Sequence, residues 1–187
     1  MQMISGVAAN LPRGMHHQLA KYRHKIFVEK LGWGLQTQHG IELDQFDRAD
    51  TVYVIARDDQ KRVSGCARLL PTHRPYLLGE IFPQLLNGMQ APCTEQVWEL
   101  SRFAAVDLHN ANAALSGQFS SPIAIALLHE AIACAAARGA KRLISVSPVG
   151  VERLLRKAGL KAHRAGPPLI VDGHAIFACW VEIEDAS

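Results

Sequence analysis

The stretch Val97-Trp98-Glu99-Leu100-Ser101-Arg102-Phe103 places three polar side chains within four consecutive positions of an apolar, strand-forming segment. A buried strand avoids charge unless the charge is paired or used. Strand alternation predicts that Glu99, Ser101 and Phe103 share one face. Arg102 would lie on the other face, unless a bulge reorients it. We expect the face with Glu99 and Ser101 to hold a general base or a hydrogen-bonding clamp.

Outward from this strand, the spacing of apolar residues predicts helices and strands in mixed order. The predicted strands are Thr51 to Arg57, Val63 to Leu70, Val97 to Val106, Lys141 to Ser147 and a final hairpin turned at Asp172-Gly173, whose second strand runs from His174 to Glu184. The predicted helices are one or two over Leu11 to Leu31, a short one at Ile81 to Leu86, one opened by Ser121-Pro122 and closed by Gly139, and Val151 to Lys157. This order predicts an α+β or α/β three-layer sandwich, compatible with an acetyltransferase-like mixed sheet flanked by helices.

The composition is typical of a soluble globular protein. The chain has 187 residues, which suits one domain over residues 1–187. Its net charge of +3 is too weak to indicate a nucleic-acid partner. No signal-peptide pattern is present, and the longest apolar run, Ile123 to Ala137, is too short to cross a membrane. The four cysteines form no CxxC pair, which favours a reducing cytoplasm over a zinc site or a disulfide framework.

The first predicted helix carries Arg23 and Phe27, and Trp33 follows directly after it. An amphipathic helix with a basic outer face and aromatic core anchors would explain these residues. An aromatic and cationic rim around a charged ligand would explain them as well.

Acidic and basic residues next to the predicted strands offer a second set of candidates. Asp44 and Asp47 lie three apart in a loop, where carboxylates commonly form turns but also suit a cationic group. Arg68 interrupts an apolar strand and needs an acidic partner, either Glu99 or a loop aspartate, or an anionic ligand. No further acid or histidine stands at a metal-ligand spacing, so no metal is expected.

Several common catalytic patterns are missing from the sequence. There is no GxSxG elbow, no legible Ser/His/Asp set, no GxxxxGK[ST] phosphate loop and no GxGxxG fingerprint.

Four motifs follow one another between Tyr22 and Phe103. They are R-x-x-x-F-x-x-x-x-x-W (Arg23, Phe27, Trp33), D-x-x-D (Asp44, Asp47), A-R-L-L-P-T with Arg68, and W-E-L-S-R-F from Trp98 to Phe103. In this order they resemble the acyl-homoserine-lactone synthases of the autoinducer-synthase type. The likeness extends more weakly through VERLLRKAG and HRAGPP to the last hairpin.

The resemblance implies an acyltransferase-like fold and two substrates, S-adenosylmethionine and a fatty acyl chain on acyl carrier protein. The acyl group passes to the amino group of S-adenosylmethionine, and the methionyl carboxylate then closes a lactone and releases methylthioadenosine. The product would be a quorum-sensing signal. No cofactor is implied, because S-adenosylmethionine is a substrate.

The resemblance also assigns roles to residues. Glu99 would act as the base, directly or through a water, with Ser101 beside it and Arg68 organising the acids. S-adenosylmethionine would be bound by Arg23, Phe27, Trp33, Asp44, Asp47, Arg102 and Phe103. Ser145 or Ser147 would hydrogen-bond a 3-oxo or 3-hydroxy group of the acyl chain, unless it is a strand-end serine that caps the next helix. The carrier protein would dock on Arg153, Arg156 and Lys157, with Lys21 and Lys25, unless these only form a solvated face.

Two alternatives use other chemistry. An N-acetyltransferase of the same fold would use acetyl-CoA, but the segment ALSGQFSSPIA at residues 114–124 lacks the R/Q-x-x-G-x-G/A loop that holds pyrophosphate. The second alternative is a non-catalytic ligand-binding domain, and an assay for turnover would distinguish it from an enzyme.

Overall fold

The computed structural model describes residues 1–109 and 122–183. Within these residues, eight strands form one sheet in the order β1-β2-β3-β4-β5-β8-β6, with β7 also paired to β8. The strands are β1 Gln2–Val7, β2 Val52–Arg57, β3 Val63–Pro71, β4 Val97–Ala104, β5 Arg142–Pro148, β6 Ala162–Arg164, β7 Leu169–Val171 and β8 His174–Glu182.

Helices cover both faces of this sheet and make three layers. They are α1 Met15–Arg23, continued by a π-helical segment His24–Lys30, then α2 Leu77–Ile81, α3 Pro122–Ala136 and α4 Val151–Lys157. Short 3₁₀ segments lie at Ala8–Asn10 and Pro83–Leu86. The helices α3 and α4 pack on one face against a large apolar core, whereas α1 and α2 cover the other face. The predicted fold class is confirmed.

Two neighbouring strands in the middle of the sheet separate from each other. β4 and β5 are parallel and pair only from Val97↔Arg142 to Leu100↔Ser145. Beyond that point β4 continues to Ala104 and β5 to Pro148, so the two strands diverge. A gap therefore opens in the sheet immediately after Leu100.

A bulge lies in β4 at the start of this gap. Residues 66–68 of β3 face residues 101–104 of β4, so β4 carries one extra residue. Arg102 has a φ of 50° at the bulge. The predicted alternation is therefore wrong beyond Ser101, and the bulge alternative holds. Arg102 contacts the acids near Ser101, whereas Phe103 packs against the core that contains α3.

Other predicted boundaries also differ from the structure. The helix predicted for Leu11 to Leu31 begins at Met15, and its second half is π-helical. The short helix lies at Leu77–Ile81, ahead of the predicted position, and a 3₁₀ turn follows from Pro83 because proline has no N–H to continue the helix.

The strand predicted to reach Val106 ends at Ala104, and the last strand ends at Glu182. The predicted strand end at Glu184 and the predicted helix cap at Ser121 lie outside the described residues. β1 and β6 were not predicted. Helix α4 has the predicted bounds.

No helix in residues 1–109 or 122–183 combines the length and apolar character needed to cross a membrane. Cys66, Cys134 and Cys179 are buried free thiols, as their apolar surroundings in the sequence indicate, while Cys93 is exposed.

Candidate active site

Four segments bring six charged side chains together on the face of the sheet covered by α1 and α2. We call this set the charged cluster: Arg23, Glu42, Asp44, Asp47, Arg68 and Arg102. Arg23 ends α1, the three acids come from the loop before β2, Arg68 lies in β3 and Arg102 lies in the β4 bulge. The three guanidinium groups balance the three carboxylates in formal charge.

Arg23 is held by two acids and is only 1% exposed. Its Nε donates to Glu42 Oε2 at 2.5 Å. Its two terminal nitrogens donate to the two Asp47 carboxylate oxygens at 2.7 and 3.0 Å, a bidentate pair. Asp47 also accepts from the Tyr53 hydroxyl at 3.0 Å and from the backbone N–H of Asp44 at 2.8 Å. Because the side chains of Arg23, Glu42 and Asp47 are each at most 2% exposed, this part of the cluster is a fixed support.

Arg68 links the loop acids to β4. Its Nε donates to Ser101 Oγ at 3.0 Å, and its Nη1 donates to Asp44 Oδ1 at 2.6 Å. Nη1 also lies 3.3 Å from Asp47 Oδ2. The acidic partner of Arg68 is therefore a loop aspartate, one of the three predicted options, and Glu99 is not among its described hydrogen-bond partners.

Arg102 reaches the cluster because of the β4 bulge. Its Nη2 donates to Glu42 Oε1 at 3.0 Å and to Asp44 Oδ2 at 2.9 Å. Its guanidinium carbon lies 5.7 Å from the centre of the Phe27 ring. A regular strand would turn this side chain to the opposite face, so the bulge completes the cluster.

Two acids of the cluster, Asp47 and Glu42, have lowered pKa values because arginines face them. Burial acts to raise the pKa of Asp47, but Arg23 and Arg68 outweigh it and hold that pKa well below its usual range. Glu42 behaves alike: burial opposes ionisation, yet Arg23 and Arg102 lower its pKa. Asp47 and Glu42 in turn raise the pKa of Arg23, although burial acts to lower it.

Glu99 differs from these acids because its hydrogen-bond partners are backbone N–H groups and not arginines. Its two oxygens accept from the N–H groups of Leu77 at 3.1 Å and Leu78 at 2.6 Å, the first residues of α2. The side chain is fully buried. Burial raises the pKa of Glu99 above its ordinary value, although the two N–H groups and Arg68 act in the opposite direction. A carboxyl group with a raised pKa is suited to accept a proton near neutral pH.

A cavity of about 220 Å³ occupies the gap between β4 and β5, and we call it the splay cavity. One wall is aromatic and polar, and the other is aliphatic. The first is formed by Phe27, Trp33, Ser101, Arg102, Phe103, Ser145 and Ser147, among others. The second includes Leu100 of β4, Val181 of β8, and Leu128, Leu154 and Leu155 from the two helices of the far face. The cavity thus passes from the charged cluster through the sheet to the apolar core.

The aromatic wall depends on the π-helical segment. The N–H of Leu31 bonds to the carbonyl of Ile26, and the N–H of Trp33 bonds to the carbonyl of Phe27. This widened turn stacks the Phe27 and Trp33 rings, with centroids 4.9 Å apart and an interplanar angle of 24°. π-Helical insertions are frequent at functional sites.

The two candidate serines of β5 line the splay cavity and bond to each other. Ser145 Oγ and Ser147 Oγ are 2.8 Å apart. The alternative that one of them caps the next helix does not hold, because α4 has no side-chain cap and Gly150 occupies its N-cap position.

The structure divides the predicted site residues into three groups. Seven line the splay cavity: Phe27, Trp33, Ser101, Arg102, Phe103, Ser145 and Ser147. Five lie behind it without forming its wall: Arg23, Asp44, Asp47, Arg68 and Glu99. The predicted docking residues Arg153, Arg156 and Lys157 are exposed on α4, which forms part of the aliphatic wall.

Glu42 was missed by sequence reasoning. It is 1% exposed and bonds to both Arg23 and Arg102. The pattern E-x-D-x-x-D from Glu42 to Asp47 is a signal that could have included it, because three acids so close together need cations nearby. In the described part of the chain, no three His, Cys, Asp or Glu side chains converge in the manner of metal ligands.

Comparisons with known proteins agree with this geometry. Residues 9–187 match the family model described as Autoinducer synthase. The chain is 56% identical to an acyl-homoserine-lactone synthase of Acinetobacter nosocomialis, over 98% of this chain and 100% of that protein.

Solved structures give the same result. TofI, in a ternary complex with an inhibitor and MTA, superposes with a TM-score of 0.84 and 45% identity, covering 98% of this chain and 92% of that chain. BjaI, a CoA-dependent acyl-homoserine lactone synthase solved with SAM and isopentyl-CoA, has a TM-score of 0.82 and 28% identity, covering 97% and 82%. An acyl-CoA N-acyltransferase from Pseudomonas aeruginosa shares the fold alone, with a TM-score of 0.63 and 14% identity over 96% and 97%.

Proposed function

The chain belongs to the autoinducer-synthase family, as its motifs predicted, and from this premise we propose that it is an acyl-homoserine-lactone synthase that takes its acyl group from acyl carrier protein. The second substrate is S-adenosylmethionine, and the products are an acyl-homoserine lactone, methylthioadenosine and the free carrier thiol. The observation that carries this proposal is the meeting of the charged cluster and the splay cavity at Ser101 and Arg102.

S-adenosylmethionine carries a sulfonium, an ammonium and a carboxylate, and the polar end of the splay cavity together with the charged cluster behind it offers a group for each. The stacked Phe27 and Trp33 rings suit the sulfonium through cation–π attraction. Arg102 lies in the cavity wall and suits the carboxylate. Asp44 lies behind this wall, bonded to Arg102, and we assign the ammonium to it because it is the most exposed acid of the cluster at 17%.

The remaining members of the charged cluster act as positioning residues. Arg23 and Asp47 are almost fully buried and bonded to each other, so they hold Asp44 and Glu42 in place without touching substrate. Arg68 fixes Ser101 and Asp44 in the same way. Preorganised charge of this kind costs no rearrangement during the reaction.

The ammonium must lose a proton before its nitrogen can attack the thioester. We assign that proton to Glu99 through a water, because the carboxyl group is fully buried and its raised pKa favours proton uptake. The nitrogen then bonds to the acyl carbon, and the carbon–sulfur bond of the thioester breaks to release the carrier thiol. In the second step the methionyl carboxylate attacks the carbon next to the sulfonium, and the electron pair of the broken bond makes a neutral thioether. This ring closure is intramolecular, so the bound conformation supplies much of its rate.

The acyl chain would lie in the aliphatic half of the splay cavity, with Ser145 and Ser147 available to an oxygen near the thioester. Support for the carrier protein as donor comes from Arg153, Arg156 and Lys157, which are exposed on the helix that borders this cavity. Acyl carrier proteins are acidic, and complementary charge speeds association. BjaI is CoA-dependent, so the donor requires a direct test.

The purified protein should release methylthioadenosine when it is mixed with S-adenosylmethionine and acyl carrier protein charged with different chains. The same chains on CoA should give a lower kcat/KM. Equal or better turnover of acyl-CoA would reject the carrier protein as the preferred donor. Acetylation of another amine from acetyl-CoA, without methylthioadenosine, would favour an N-acetyltransferase, and binding without turnover would favour a ligand-binding domain.

Glu99→Gln tests the base. We expect kcat to fall by about 10²–10⁴-fold, with little change in the KM for S-adenosylmethionine, because proton transfer is lost while the binding groups remain. Glu95→Gln is the matched control, since Glu95 is exposed just before the same strand. Wild-type kcat in Glu99→Gln would exclude Glu99 as the base.

A further inference from the structure

A second cavity of about 320 Å³ lies beneath α4, on the side away from the splay cavity, and we call it the α4 cavity. Its walls come from α4, from the loop after that helix, and from β6 and β8. They are formed by Glu152, Leu155, Arg156, Leu160, Ala162, His163 and Cys179.

One side chain, Leu155, lines both cavities. Its neighbour Leu154 lines the splay cavity only. On β8, Val181 borders the splay cavity and Cys179, two residues away on the same face, borders the α4 cavity. The two cavities therefore lie side by side along β8, with Leu155 between them. Leu155 is 3% exposed, so it fills the space between helix and sheet.

The inner part of the α4 cavity is apolar and its rim is polar. Leu155, Leu160 and Ala162 supply aliphatic surface. Cys179 adds a neutral thiol, because burial raises its pKa to about 11. At the rim, Arg156 and His163 are exposed to solvent. A hydrocarbon segment suits the apolar residues, because the charged side chains in the lining, Glu152 and Arg156, are reached by solvent at the rim.

An ion pair joins helix α4 to strand β6 next to this cavity. Glu152 on α4 accepts two hydrogen bonds from Arg164 on β6, from Nε at 2.5 Å and from Nη2 at 2.8 Å. The guanidinium carbon of Arg164 lies 5.2 Å from the centre of the Phe177 ring. This ion pair joins α4 to β6 at the polar rim of the cavity, and the side chain of Leu155 can be shortened without removing it.

We propose that Leu155 is the residue that limits the length of the acyl chain, because it closes the splay cavity against an α4 cavity that can take the distal methylene groups of longer chains. This inference rests on the proposed function, since it places the acyl chain in the splay cavity. Each methylene group buried in a new apolar space contributes about fourfold in kcat/KM. Joining the two cavities should therefore favour donors that are two or more methylenes longer.

The test measures kcat/KM for carrier-bound donors from butanoyl to hexadecanoyl with wild type, Leu155→Ala and the matched control Leu154→Ala. Both substitutions remove the same atoms from neighbouring buried positions of one helix. We expect Leu155→Ala to raise the ratio of long-chain to short-chain kcat/KM by about tenfold or more. Leu154→Ala enlarges the splay cavity alone and should move this ratio much less. Equal shifts in the two variants would overturn the proposal.

Refilling the second cavity supplies an independent check. Ala162→Phe, added to Leu155→Ala, places a ring in the α4 cavity only and should return the chain-length profile towards that of wild type. A double variant that keeps the long-chain preference would also overturn the proposal. If Leu155→Ala does not fold, as judged by circular dichroism, Leu155→Val should give a smaller shift in the same direction, and an unchanged profile would count against the proposal.

The proposed function and this inference fail in different ways. If wild type turns over no acyl donor of any length, the proposed function is wrong and the inference falls with it. If short donors are turned over by every variant with one common chain-length profile, only the role of Leu155 is rejected.

Discussion

The charged cluster and the aliphatic wall of the splay cavity are equally well buried but are built by opposite rules. In the cluster, each side chain has named partners at hydrogen-bond distance, and Arg23, Asp47 and Arg68 leave little room for another residue type. In the aliphatic wall, leucine and valine side chains meet only by van der Waals contact. The cluster is specified by residue identity, whereas the wall is specified by volume.

This difference predicts how each region responds to change. A buried ion pair that loses one partner leaves an uncompensated charge, which no small rearrangement corrects. An aliphatic wall that loses a few methyl groups leaves a cavity, which a ligand can occupy. Changes in the cluster should therefore abolish the reaction, and changes in the wall should redirect it.

The largest effect is expected for Asp47→Ala. Arg23 would remain buried without its bidentate partner, so the free energy of unfolding should fall by about 3–5 kcal/mol and lactone synthesis should be lost. Denaturant unfolding and product assays measure the two effects. The control is Asp50→Ala, which removes a partly exposed acid paired with Arg48 and Arg74 and should cost about 0–1 kcal/mol. Similar losses of stability for both variants would contradict the distinction between a buried ion pair and a partly exposed one.

A loss of about 2–5 kcal/mol in stability, with catalysis retained, is expected for Leu128→Ala in the aliphatic wall. Its control, Leu127→Ala, removes an equally buried neighbour that does not line the splay cavity. Both variants should be destabilised, but only Leu128→Ala should change the relative kcat/KM of different acyl donors. If the two variants share one donor profile, the wall does not contact the chain.

The third effect concerns acid stability. The unfolded chain protonates Asp47 near pH ~4, whereas the folded protein keeps this acid ionised to lower pH. The unfolded state therefore binds more protons in that range, and stability is lost as pH falls. Asp47→Asn lacks this contribution, so its deficit against wild type should be largest near neutral pH and narrow by about 1 kcal/mol or more below pH ~4. A deficit that stays constant from pH ~7 to pH ~3 would show that the ion pair adds nothing.

The smallest effect is expected at the surface. Arg153→Glu should raise the apparent KM for the carrier-bound donor severalfold and leave the KM for S-adenosylmethionine unchanged, because charge complementarity acts on association. Arg13→Glu makes the same change in charge before α1, on the other face of the sheet, and should leave both constants unchanged. A weakening of both substrates by Arg153→Glu would rule out a docking role.

Much of the charged cluster, and the separate acid Glu99, could be predicted because charged residues inside apolar segments are easy to recognise in a sequence. Arg68 within an apolar strand and Glu99 beside Ser101 required partners, and the alternation of hydrophobic residues placed them on strands that the structure contains. Glu42 was missed because a single loop acid looks solvated. Its burial depends on Arg23 and Arg102, which approach it from 19 and 60 residues away in the chain.

The rest depended on geometry that a linear pattern does not encode. The bulge at Arg102 inserts one residue without any glycine to mark it, so simple alternation put Arg102 on the wrong face. The short strands β1 and β6 acquire their structure by pairing with β2 and β8 and carry little signal of their own. The splay cavity arises where β4 and β5 stop pairing, and no residue in either strand indicates from the sequence where that pairing ends.

Strand edges are ordinarily found at the border of a sheet, where their unpaired amides invite other polypeptides to add on and aggregate. In this fold, the parting of two central strands puts such edges in the interior, with helices in front and behind. The helices on both faces therefore shield these unpaired backbone groups from other polypeptides. The fold can thus leave backbone groups unpaired beside an internal cavity without creating an edge at which molecules would aggregate.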